Sequence, residues 1–161
     1  MTTFQIFGLQ FAMSLVLYAL IAAWYVAPRL ARLPLAQALQ PLLFLHAFRY
    51  LGLVFLVPTV VGPALQPEFA VPAAYGDLLA ALLALLALVA LRGGWATAVP
   101  LAWLFNIVGA LDLAYALYQG TRLQVLLGAA YYIPTFVVPA LLVTHAMIFT
   151  RLAGHSGRGG A

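Results

Sequence analysis

Residues 78–91 read LLAALLALLALVAL, a run with no hydrogen-bonding side chain and no period-two alternation. A helix that is apolar all round is built for hydrocarbon or for a deep core. The rest of the chain settles which: 66% of its 161 residues are hydrophobic and only 6% charged, and the mean hydropathy is +1.10. That leaves too few polar residues to cover a soluble domain. With lipid as the solvent, backbone groups must be satisfied inside helices or a closed barrel, and long Leu/Ala runs favour helices. The expected fold is an all-α integral membrane bundle.

Each span needs roughly 20 apolar residues. Five fit, over about 4–26, 37–58, 74–91, 95–118 and 123–149, forming a single transmembrane domain over 1–150. The leader MTTFQ carries no positive charge, and the first apolar run exceeds the roughly 7–15 residues of a signal-peptide core, so it reads as a retained span. Between spans two and three, Pro58, Pro63, Pro67 and Pro72 interrupt any continuous helix. Span three carries no polar group after Asp77 and reads as lipid-facing scaffold. The Gly-rich stretch 151–161 reads as a disordered tail.

Arg29, Arg32, Arg92, Arg151 and Arg158 fall at one side of this arrangement. Arg122, Glu68 and Asp77 fall at the other. The positive-inside rule then places the N-terminus outside and the C-terminus in the cytoplasm. All seven basic residues are Arg, the usage of a GC-rich bacterial genome, so the bacterial inner membrane is the expected location. The pI of 9.8 needs no nucleic acid, because positive loops beside an anionic leaflet account for it. The absence of Cys removes disulfides, thiolate metal sites and c-type haem attachment. There is no phosphate loop, H-E-x-x-H or serine elbow, and Asp and Glu total three, which argues against a classical hydrolase.

Ionisable residues at membrane depth are costly, roughly 2.5–3.5 kcal/mol for a central Arg, and so mark functional sites. His46, Arg49 and Tyr50 occur at i, i+3 and i+4 of span two and share a face if that span is α-helical. At ~1.5 Å per residue, His46 lies ~13 Å and Arg49 ~18 Å from the cytoplasmic end, with His145 of span five ~6–9 Å deep. Two imidazoles at comparable depth on different spans suggest axial ligands to one haem b iron, or one ligand and one pocket wall. Arg49 would pair with a propionate, and Tyr50, Asn106 and Tyr131 would orient neighbouring groups. Gly109 would admit a flat ligand edge. Phe44, Phe48, Trp103, Phe105, Tyr132 and Phe136 could wall a porphyrin or serve as ordinary packing.

The expected role is then electron transfer or redox or gas sensing, with an unidentified redox partner. Gly8, Gly109 and Gly128 would offer close contacts for a homo-oligomer. Each residue also has a plainer role. An intramembrane His often bonds only a neighbouring helix, Arg49 and Asp112 can form an internal ion pair, and Thr135 and Thr144 can bond their own backbone. The rival functions are a polar-lined channel or transport subunit and a cofactor-free scaffold.

Overall fold

The computed structural model describes residues 1–156. It is all-helical among them, with five helices long and apolar enough to cross a membrane: α1 (Thr3–Ala31), α2 (Leu35–Leu56), α3 (Pro67–Arg92), α4 (Ala98–Arg122) and α5 (Gly128–His155). Length and hydropathy mark a multi-pass membrane protein. The helical backbone continues through Ser156, so residues 151–156 are not the irregular tail expected from composition. Residues 157–161, including Arg158, lie outside the described part.

α3 is the centre of the bundle and packs against both α2 and α4. Its Ala-rich stripe (Ala70, Ala73, Ala74, Ala80, Ala84, Ala87) is buried, while Leu79, Leu82 and Leu85 point outward. Small side chains let neighbouring helix backbones approach closely. The expectation of a lipid-facing scaffold is therefore wrong for one face of α3: hydropathy alone does not distinguish Leu from Ala in this role. The helix also starts earlier than expected. Pro67 occupies its first turn, after Gln66, and Pro72 lies inside it. A first-turn proline has no intrahelical N–H bond to lose; Pro72 removes only one.

α2 changes pitch. It is α-helical over Leu35–Ala47 and 3-10 over Phe48–Leu56, much longer than the usual three or four residues of that form. At three residues per turn, Arg49, Gly52 and Phe55 line up, and they are the buried residues of this stretch. In α1, none of Thr3–Ile21 is buried; the helix lies along α5. A π-helical turn spans Ala22–Val26 in α1 and another spans Ile133–Val137 in α5, the latter containing Pro134. Each π turn ends two residues before a proline, Pro28 or Pro139, whose missing N–H leaves an i−4 carbonyl inside the turn, Trp24 or Thr135, without its helical donor.

Two apolar clusters bracket a polar middle. One includes Leu39, Leu43, Leu88, Phe105, Ile148 and Leu152. The other includes Phe55, Phe69, Ala74, Leu127 and Ala130. Gly128 has φ +49°, and a Cβ there would meet the Val60 carbonyl oxygen at 2.6 Å, so its close approach is made within the chain. Gly109 is likewise enclosed, and only Gly8 of the three glycines expected at an oligomer contact has open space.

Replacing Ala84, which is fully buried, with Leu is expected to destabilise the bundle by about 1–3 kcal/mol through overpacking. Leu82→Ala on the outward face should change stability by about 0.5 kcal/mol or less. Reversible unfolding in mixed micelles, followed by circular dichroism, measures both.

Candidate functional site

The 3-10 pitch of α2 aims the Arg49 side chain into the centre of the bundle, where it is almost completely buried. Its Nε donates to Asp77 Oδ1 of α3 at 2.8 Å, and Nη2 donates to Asp112 Oδ2 of α4 at 2.5 Å. Nη1 donates to the Gly109 carbonyl at 3.0 Å and lies 3.4 Å from His145 Nε2. One guanidinium thus joins α2, α3, α4 and α5. Charge-assisted bonds of this kind are roughly twice as strong as neutral ones, and a buried charge requires them.

Glycines make room for these groups. A Cβ at Gly52 would overlap the Asp77 carboxyl, one at Gly76 would overlap that of Asp112, and one at Gly109 would fall 2.8 Å from His145 Cε1 and 2.9 Å from Arg49 Nη1. Gly109 therefore belongs to the site, as a backbone acceptor and as space for Arg49.

The histidines form the adjoining layer. His145 Nδ1 lies 2.7 Å from Asn106 Oδ1, and Asn106 Nδ2 donates to the His145 carbonyl at 3.2 Å. With the amide oxygen accepting from Nδ1–H, the Nε2 lone pair of His145 faces Arg49. His46 Nε2 is 3.0 Å from Thr144 Oγ1, whose hydroxyl also reaches the Ala140 carbonyl at 2.9 Å. With the hydroxyl proton on that carbonyl, Oγ1 accepts from His46. His46 Nδ1 is buried without a partner among the described residues. Phe105 packs on both imidazoles, at centroid distances of 5.0 and 5.4 Å.

This arrangement does not fit a haem held between two imidazoles. Iron–nitrogen bonds of ~2 Å on opposite faces require the rings to point nitrogen-first at each other, with centroids more than ~6 Å apart. The His46 and His145 rings are in contact at 4.1 Å with 47° between their planes. Four of the five Arg49 N–H groups are directed at protein acceptors, so the guanidinium is committed to Asp77, Asp112, Gly109 and His145. Tyr50 is exposed, because the 3-10 pitch carries it away from the face shared by Arg49. Of the proposed porphyrin wall, Phe44, Phe48, Tyr132 and Phe136 point outward; Trp103 packs on Phe149, 5.8 Å away.

Tyr131 belongs elsewhere. It lines a cavity of about 500 Å³ together with Phe7 of α1, Phe55 of α2, Phe69 and Asp77 of α3, and Leu117 of α4. Its hydroxyl is buried and without a partner among the described residues. Asp77 therefore faces two ways, towards Arg49 and towards this cavity. Neither histidine lines it. By hydropathy Asp77 reads as a membrane-surface residue; its place on the Ala stripe, four residues after Ala73 and seven before Ala84, is the signal that reveals it.

An all-helical bundle of membrane-crossing length, closed around a buried Asp–Arg–Asp cluster, defines the class of protein. The chain belongs to the family described as Domain of unknown function (DUF8737), which matches residues 6–153. No match was found among curated proteins or among solved structures.

Arg49→Met is expected to cost about 3–5 kcal/mol, because it leaves the buried Asp77 and half-buried Asp112 carboxylates without their cation. Adding Asp77→Asn and Asp112→Asn to that variant should recover part of the loss. Unfolding midpoints of the single and triple variants, compared side by side, provide the check. Gly52→Ala should destabilise the fold by displacing Asp77, and its unfolding midpoint should fall with Arg49 still present.

Proposed function

We propose that this is an inner-membrane protein of the transport-subunit class, in which the Asp77–Arg49–Asp112 cluster exchanges a proton in connection with a ligand in the adjoining cavity. The observation that carries this reading is a charge imbalance. Two carboxylates, Asp77 buried and Asp112 half-buried, share one buried guanidinium, so with both ionised the cluster has a net charge of −1. An uncompensated charge in a low-dielectric interior is expensive. A proton on one carboxyl, or a cation beside it, restores balance.

The neighbouring groups support this. Arg49 comes from α2 and His145 and Tyr131 from α5; α1 contributes apolar and hydroxyl side chains to the cavity, and no basic residue among those described lines it. Arg49 engages Asp77 through Oδ1 and Asp112 through Oδ2, which leaves the second oxygen of either carboxyl to hold the balancing proton. With the Arg29, Arg32, Arg92 and Arg151 ends cytoplasmic under the positive-inside rule, the N-terminus is outside. The cavity, lined by Thr2, Thr3 and Thr121, then lies in the outer half of the bundle.

Infrared difference spectra of the full chain in lipid nanodiscs, recorded between about pH 5 and pH 9, should show one buried carboxyl losing its proton. That C=O band should be absent in Asp112→Asn or in Asp77→Asn. A wild-type spectrum with no carboxyl change across that range would leave the cluster as a purely structural ion pair and remove this reading.

A further inference from the structure

The cavity specifies the kind of molecule it would take. We propose that it binds a lipophilic organic cation, a protonated or quaternary amine or its equivalent with apolar substituents, through aromatic faces and the Asp77 carboxylate. This rests on the reading of the Asp–Arg–Asp cluster given above and adds the ligand class to it.

The volume of about 500 Å³ is that of a small-molecule site, for which roughly 300–1,000 Å³ is usual. The wall is mainly apolar and includes the rings of Phe4, Phe7, Phe55, Phe69 and Tyr131, drawn from α1, α2, α3 and α5. Several of these rings are braced against one another: Phe55 meets Phe69 edge-on at 5.6 Å, and Phe7 meets Tyr131 edge-on at 6.0 Å. Ring faces attract cations, most strongly where water is excluded. The acid on the wall is Asp77, and Arg49, which neutralises part of it, stands behind the carboxyl and outside the lining. A ligand therefore meets the carboxylate and the rings without meeting a basic side chain. An anion would face that carboxylate without a counter-ion. A neutral hydrocarbon would leave Asp77 and the buried Tyr131 hydroxyl unanswered.

Charge completes the argument. A monovalent cation at Asp77 brings the cluster from −1 to neutral, which is also what a proton does. Cation and proton therefore compete for one vacancy in the charge balance, and binding of one releases the other. No covalent step is involved.

The test uses two probes of the same shape and opposite charge, tetraphenylphosphonium and tetraphenylborate, with the full chain in lipid nanodiscs and empty nanodiscs as reference. Titration calorimetry should show saturable binding of the phosphonium at one site per chain, weaker at low pH than at high pH, and none of the borate above the reference. Asp77→Asn should weaken the phosphonium at least tenfold. Leu117→Trp fills the cavity without touching the charged cluster, so it should abolish binding while the infrared carboxyl change persists.

Equal binding of both ions, binding indistinguishable from empty nanodiscs, or unchanged affinity in Leu117→Trp would each overturn the inference. If the carboxyl titrates but the phosphonium does not bind, the ligand class alone is wrong. If the phosphonium binds with no pH dependence and no carboxyl titrates, the proton-linked reading fails and the cation site stands.

Discussion

A guanidinium placed among hydrocarbon side chains must be answered completely, and the architecture follows from how that is done. Arg49 cannot snorkel to water from the middle of α2, so the bundle brings its partners to it: Asp77 from α3, Asp112 and the Gly109 carbonyl from α4, and His145 from α5. Because bonds of fixed length tie four helices to one side chain, the relative height and rotation of those helices are set together. Gly52, Gly76 and Gly109 are the other half of the same device, since the carboxyls and the guanidinium occupy the volume that their missing side chains leave free.

The polar layer is kept dry from one side and open from the other. Towards the arginine-rich end, Leu39, Leu43, Leu88, Phe105 and Ile148 close over it. Towards the opposite end the packing is incomplete, and the cavity reaches down to Asp77. The two acids thus serve different surroundings: Asp112 holds α4 to Arg49, whereas Asp77 also presents to the cavity. α1 completes the cavity wall with Phe4 and Phe7 yet buries no side chain over Thr3–Ile21, so its attachment there is the weakest in the bundle.

Much of this was written in the sequence in a form that hydropathy could read. The five apolar segments correspond to the five helices, because lipid solvation demands length and composition that nothing else in the chain mimics. Helix starts were less legible: Pro67 and Pro72 suggested an interruption, whereas one opens α3 and the other is accommodated within it. Arg49 and Asp112 stand out as opposite charges able to form an internal ion pair. Asp77 does not, because it precedes the long Leu/Ala run and reads as its boundary. The Ala spacing carried the missing information, since a stripe of small residues marks the face that other helices approach. Tyr50 was misplaced for a different reason. Face arguments assume 3.6 residues per turn, and the change to three at Phe48 is a tertiary effect imposed by Arg49, Gly52 and Phe55 facing inward together. Matched depth makes the two imidazoles look like ligands but says nothing of helix rotation; in the structure they lie side by side, each engaged with a neighbour on another helix.

The altered winding of α2 has a mechanical meaning. A 3-10 turn advances ~2.0 Å and 120° per residue, against ~1.5 Å and 100° for an α turn. Rewinding the six steps from Arg49 to Phe55 would swing the Phe55 ring about 120° relative to Arg49 and draw the two together by ~3 Å. Arg49 is clamped by its carboxylates and Phe55 stands in the cavity wall. α2 is in that sense a screw whose two ends grip different parts of the molecule, so that loosening the grip at the charged end changes the shape of the hollow at the other.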